Sequence, residues 1–143
     1  MELLQVFQDL ATSQDAEKIG AKPIANERYF NEQQRLKQIY HFVELHYREN
    51  IQMEQVLTIA NLSLAAFCRY FKRMTGMTFT EFLSQYRINQ AKHLMLQHYN
   101  VSEACYESGF ENLSHFNRTF KKLTGENPKD FRKRHLWGLE SDT

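Results

Sequence analysis

Phe67-Cys-Arg-Tyr-Phe-Lys-Arg-Met-Thr-Gly76 and Phe116-Asn-Arg-Thr-Phe-Lys-Lys-Leu-Thr-Gly125 are two versions of one phrase, 49 residues apart. Six of the ten positions are identical, and Arg73/Lys122 and Met74/Leu123 exchange like for like. The correspondence extends outward to Glu54/Glu103 and Phe82/Phe131. Only two copies are present, whereas a solenoid array needs roughly three or more to bury its faces. The pattern therefore reads as a duplicated module.

Each copy reads as a short helix, a turn and a second helix. In the first, Val56, Leu57, Ile59 and Ala60 line the short helix, Asn61-Leu62 turn the chain, and Ser63 offers an N-cap hydroxyl. Phe67, Phe71 and Met74 follow at i, i+4 and i+7, the core stripe of an amphipathic helix. Gly76 stands where a left-handed closing residue belongs. In the second copy Val101, Ala104, Cys105 and Ser108 build the short helix and Gly109-Phe110 the turn. Asn112 is the cap, Phe116, Phe120 and Leu123 are the stripe, and Gly125 closes it. Pro128 suits the first turn of a last helix, Lys129 to His135.

Between the copies, Thr78 to His98 contains neither Gly nor Pro, and Phe79, Phe82, Leu83, Tyr86, Ile88, Ala91, Leu94, Met95 and Leu96 give helical periodicity. Some 20 residues at 1.5 Å each make a rod of roughly 30 Å. Successive major grooves on one face of B-DNA lie about 34 Å apart. Upstream, Glu32 to Arg48 reads as an amphipathic helix carrying Leu36, Ile39, Tyr40, Val43, Leu45 and Tyr47. Residues 12–31 read as a linker, and Leu3, Leu4, Phe7, Leu10 and Ala11 as a short amphipathic stripe before it. The expected organisation is an N-terminal helix and linker (1–31), a first helix-turn-helix unit (32–76), a linker helix (77–98), a second unit (99–136) and a tail (137–143). The fold class is all-α, with about seven helices in two homeodomain-like subdomains.

Composition agrees. Of 143 residues, 42% are hydrophobic and 13% aromatic, enough for a core, while five Gly and two Pro favour helices over a turn-rich β architecture. No run of 18 apolar residues is present to form a membrane-spanning helix. The opening MELLQVFQDL lacks the basic segment of a secretory signal. Cys68 and Cys105 are isolated, which fits a reduced, cytoplasmic setting. The net charge of +1 hides an uneven distribution: residues 34–135 hold fifteen Lys/Arg against nine Asp/Glu, whereas residues 1–33 carry six acids against three bases. A basic block of this kind suits a nucleic-acid partner.

Catalytic signatures are absent: no GxSxG, no HExxH and no phosphate-binding glycine loop. Nothing calls for a cofactor, and the chain does not read as an enzyme. His41/His46 and His93/His98 are spaced i, i+5, which puts the two imidazoles on different helix faces and argues against a metal site.

The outward faces of the second helices carry the candidate chemistry. Arg69 and Arg118 hold the same place in the repeat, and an arginine can bond guanine O6 and N7 together. Asn117 can do the same for adenine, and Ala65 permits close approach to a thymine methyl. Lys72, Arg73, Lys121 and Lys122, with Ser63 and Asn112 at the helix starts, suit phosphates, which position without specifying. A basic helix face is more often only a solvated surface. Its repetition on two matched helices is what favours double-stranded DNA over a helical protein-interaction module, for which the two basic faces would have no need to be continuous.

The stretch from Leu36 to Arg134 resembles the DNA-binding domain of the AraC/XylS transcription regulators. The resemblance rests on Val101 to Gly125 with its Gly109-Phe110, Phe116…Phe120-Lys121 and Thr124-Gly125, on Pro128 and Phe131-Arg132, and on Arg87 and Ala91-Lys92 between the units. It implies seven helices, both units in adjacent major-groove segments, and base contacts from Ala65, Cys68, Arg69, Ser114, His115, Asn117 and Arg118. It also implies contact with RNA polymerase and, in many members, dimerisation through an upstream sensing domain. Leu57 and Cys105 stand where the family usually has Ala, and Asn61 where Gly is common, so slight repacking is expected.

Overall fold

Pro23 fits the first position of a helix, where its missing N–H costs nothing and its fixed φ is already helical. In the computed structural model, which describes residues 23–141, it opens helix α1, Pro23–His46. Residues 23–31, expected to be linker, are therefore helical. The chain continues through α2 (Met53–Ala60), α3 (Leu64–Thr75), α4 (Phe79–Leu96), α5 (Val101–Glu107), α6 (Leu113–Thr124) and α7 (Pro128–Ser141). The stripe proposed for residues 3–11 lies outside the described residues. Helix α7 runs to Ser141, so most of the expected tail is helical.

The described helices enclose two apolar clusters. The first joins Leu36, Ile39, Tyr40 and Val43 of α1 to Val56, Ala60, Phe67, Tyr70 and Phe71, and ends on Phe79, Phe82 and Tyr86. The second begins two residues later on the same rod, with Ile88, Ala91 and Met95, and gathers Ala104, Cys105, Phe110, Phe116, Phe120 and Phe131. Helix α4 is thus the closing helix of one unit and the opening helix of the next. Its 18 residues give an axis of about 27 Å. Edge-to-face rings lock the first cluster, Phe71 meeting Phe79 and Phe82 at centroid distances of 5.6 Å. Phe120–Phe131 at 5.4 Å is the counterpart in the second.

Three residues assigned to core stripes lie outside the core. Leu96 is 37% exposed, because it ends α4 one residue, or about 100° of helix, past the buried Met95. Leu45 is 63% exposed, because it stands two residues, or about 200° of helix, beyond Val43. Leu123 is 38% exposed although its repeat partner Met74 packs on the first cluster. The second cluster holds nine buried residues against twelve, and stops at Phe120 and Phe131, so the last turn of α6 overhangs it.

The repeat is also less uniform than a constant offset of 49. The N-cap N–H of α2, Gln52, donates to Gln55 Oε1 at 2.9 Å, and that of α5, Asn100, donates to Glu103 Oε1 at 3.2 Å. These positions are 48 apart. So are the left-handed turn residues Asn61 (φ 55°) and Gly109 (φ 101°). Glu103 therefore matches Gln55, not Glu54. One extra residue in the second turn restores the offset of 49, at which Ser63 and Asn112 cap the second helices.

Candidate nucleic-acid interface

Helices α3 and α6 are built to one specification. At their starts Ser63 Oγ accepts from Ala66 N at 3.3 Å and Asn112 Oδ1 from His115 N at 2.7 Å. At their ends Gly76 (φ 79°) and Gly125 (φ 87°) take the left-handed conformation, each donating to the carbonyl four residues back. One hydroxyl then ties each helix end to the next segment. Thr75 Oγ1 lies 2.7 Å from the Phe71 oxygen and 3.0 Å from that of Met77, and Thr124 Oγ1 lies at the same distances from Phe120 and Glu126. The buried faces are Phe67, Tyr70 and Phe71 in α3, and Phe116 and Phe120 in α6.

With those faces pinned, the rest of each helix must face outward. Ala65, Cys68, Arg69, Lys72 and Arg73 are exposed on α3, as are Ser114, His115, Asn117, Arg118, Lys121 and Lys122 on α6. Ser63 and Asn112 are exposed as well, with their side-chain oxygens engaged in capping. The structure thus brings the candidate base and phosphate contacts of each unit onto one helix face. The four cations of the last turns also complement the helix C-terminal dipole, a structural reason for them independent of phosphate.

Three details were not visible in the sequence. His115 leans its ring on Phe110, at 5.7 Å between centroids, so a core aromatic steers an exposed candidate contact. Arg73 is ion-paired: its two terminal nitrogens lie 3.0 and 3.3 Å from the Glu32 carboxylate of α1, which holds that carboxyl below its ordinary value, chiefly through this hydrogen bond. Lys122, its repeat partner, has no ion pair among the described residues. Finally, α1 reaches far enough upstream to form a wall beside α3. Arg28, Glu32 and Arg35 face Ala66, Arg69 and Tyr70 across a groove of about 810 Å³. Tyr70 donates its hydroxyl to the Glu32 carbonyl, and Arg35 Nε donates to the Ala60 carbonyl at 2.7 Å. Pro23 was the available signal for this longer helix; read as an N1 proline, it starts α1 nine residues earlier than Glu32.

Of the two cysteines, Cys68 is exposed on the outward face of α3 and Cys105 is fully buried, its thiol pushed up to about 11 by desolvation. Among the described residues no three His, Cys, Asp or Glu side chains gather as metal ligands.

A family model described as a helix-turn-helix domain matches residues 56–134, more than half of the chain. The chain belongs to the AraC-type helix-turn-helix family. Among relatives of this family, an uncharacterised HTH-type transcriptional regulator from Bacillus subtilis is 38% identical over 101 residues, covering 69% of this chain and 34% of its own length. The transcriptional activator RhaS of an Enterobacter strain is 32% identical over 104 residues, covering 71% of this chain and 37% of its own length. The chain thus spans about a third of the length of these curated relatives. A probable AraC family regulator from Rhodopseudomonas palustris shares the fold at a TM-score of 0.65, with 24% identity over 71% of this chain and 97% of its own. The DNA-binding domain of AdpA, solved with a target DNA, shares it at 0.66, with 24% identity over 71% of this chain and 92% of that one. The AraC-type assignment agrees with the resemblance carried by residues 101–132.

Proposed function

We propose that the chain binds double-stranded DNA sequence-specifically, with α3 and α6 in adjacent major grooves, and that it regulates transcription at the promoters it occupies. The observation that carries this reading is the pair of matched outward faces. Arg69 and Arg118 hold one position in the repeat, on helices that share caps, closing glycine and buried phenylalanines. In this reading Ala65, Cys68, Arg69, Ser114, His115, Asn117 and Arg118 meet base edges, while Ser63, Lys72, Arg73, Asn112, Lys121 and Lys122 meet phosphates. The reading extends to a cytoplasmic location on the nucleoid, contact with RNA polymerase, and pairing of copies through any upstream domain.

Selection of duplexes from a random pool tests it. Arg69→Ala and Arg118→Ala each lose about 1–3 kcal/mol on the selected site, with relaxed preference at one position. Lys121→Ala weakens all duplexes alike and lowers the salt slope by about one. If the selected duplex bound no better than random DNA at moderate salt, the reading would fail and a protein-interaction role would replace it.

A further inference from the structure

Helix α4 passes from one cluster to the other between Tyr86 and Ile88, and the residue at the crossing is Arg87. Its guanidinium is half-buried, and desolvation lowers its pKa, so its placement opposes the charge it carries. It forks across two main-chain acceptors of the loop between α1 and α2: Nε donates to the Tyr47 carbonyl and a terminal nitrogen to the Glu49 carbonyl, both at 2.8 Å. The turn of the second unit closes over the same spot. Gly109 lies so near that a Cβ there would collide with the Tyr47 oxygen and come within 2.9 Å of Arg87 Nε.

The same place in the first unit is used differently. Arg35 stands one residue before Leu36, and buried residues follow at Ile39 and Val43. Arg87 stands one residue before Ile88, with Ala91 and Met95 at the same spacings. Arg35 closes onto its own unit, through the Ala60 carbonyl at the end of α2. Arg87 instead reaches back into the neighbouring one. A guanidinium suits this task because its rigid fork can hold two carbonyls in one fixed relation, which an ammonium cannot.

We propose that Arg87 is a positioning residue: it fixes α6 relative to α3 and thereby sets the spacing between the two half-sites that the chain accepts, the spacing part resting on the DNA-binding reading. Spin labels on Cys68 and on a cysteine introduced by Asn117→Cys measure the separation of the two helices in the DNA-free protein, the buried Cys105 remaining unlabelled. The distribution is narrow with Arg87 and broadens in Arg87→Lys and in Arg87→Met, which keeps most of the aliphatic stem. On a selected duplex, moving one half-site by a single base pair weakens the parent roughly tenfold and the variants only about twofold.

A distribution already broad in the parent overturns the proposal, as does one unchanged in either folded variant. Loss of both apolar clusters in Arg87→Lys also overturns it, because the residue would then hold the fold and not the angle. If the label distances behave as stated but no duplex can be selected, the DNA-binding reading fails and the positioning role stands on the distances alone.

Discussion

The two units share a specification and differ in what surrounds them. The first is braced from outside: a 24-residue α1 lies along it, walls the groove beside Arg69, and binds the edge of the outward face through Glu32 and Arg73. The second is served from within the repeat, its first helix being the far half of α4, and the Lys121 and Lys122 of its basic edge have no ion pair among the described residues. The difference teaches that a duplicated module need not give duplicated behaviour. Equivalent caps and matched buried phenylalanines fix how each recognition helix sits in its unit, while unshared neighbours decide which of its cations are free. Arg73 must break an existing pair to meet a phosphate, whereas Lys122 has none to break among the described residues.

The largest effects test whether the units are separable at all. Phe71 and Phe120 are both fully buried, and Phe71→Ala and Phe120→Ala should each cost about 3–5 kcal/mol in denaturant unfolding. Because α4 contributes to both clusters, each variant is expected to unfold in one transition. Two separated transitions would show that the shared rod does not couple the units.

Removing one hydroxyl per unit probes the equality of their framework. Thr75→Val and Thr124→Val each break a helix-end tie of the same geometry, and each should cost about 1 kcal/mol. A marked inequality would mean that the bracing by α1 reaches the helix ends as well as the face.

Glu32→Gln sharpens the contrast directly. It releases Arg73, so the steepness of the salt dependence of DNA binding should rise by about one. The same variant has a pH signature. Glu32 is held below the ordinary carboxyl value of 4.5, so its contribution to stability is present above that value and lost as pH falls through the depressed one. Acid unfolding curves of parent and variant should converge at low pH and separate towards neutrality. Curves that stayed parallel would remove the ion pair from the account.

The smallest expected effect is Tyr86→Phe. The Tyr86 hydroxyl is buried without a hydrogen-bond partner among the described residues, while its ring packs against Tyr47 at 5.2 Å. Removing the oxygen should leave stability within about 0.5 kcal/mol, or raise it slightly. A loss above about 1 kcal/mol would mean that the hydroxyl is engaged after all.

What could be read from the chain was whatever repeats or has period 3.6. The caps at Ser63 and Asn112, the glycines at 76 and 125, the linker rod and the outward position of Arg69 and Arg118 all follow from local pattern. What could not be read depends on elements far apart in sequence. Nothing in residues 67–76 announces that Glu32 will reach Arg73, 41 positions later. Arg87 was recognisable as part of a family pattern, but not as a bridge to Tyr47. Leu45 was misplaced by counting its residue type and not its angle from Val43, and Leu123 because periodicity reports which face a residue is on, and not whether another element covers it. The pairing of Glu54 with Glu103 failed because an identical residue type is weaker evidence of register than matching hydrogen bonds.

Ser63 to Gly76 and Asn112 to Gly125 are equal in length and fastened by the same fittings at both ends. They are therefore sockets as much as helices, and the letters they display can be exchanged without touching the fastenings. Copying Ser114, Asn117 and Arg118 onto positions 65, 68 and 69 would give both sockets nearly the same plug, and a chain suited to direct repeats. Position 66 is the exception. There α1 stands close by, and the histidine that leans on Phe110 in the second socket would meet that wall in the first. The freedom to rewrite what this molecule reads is greater in its second half than in its first.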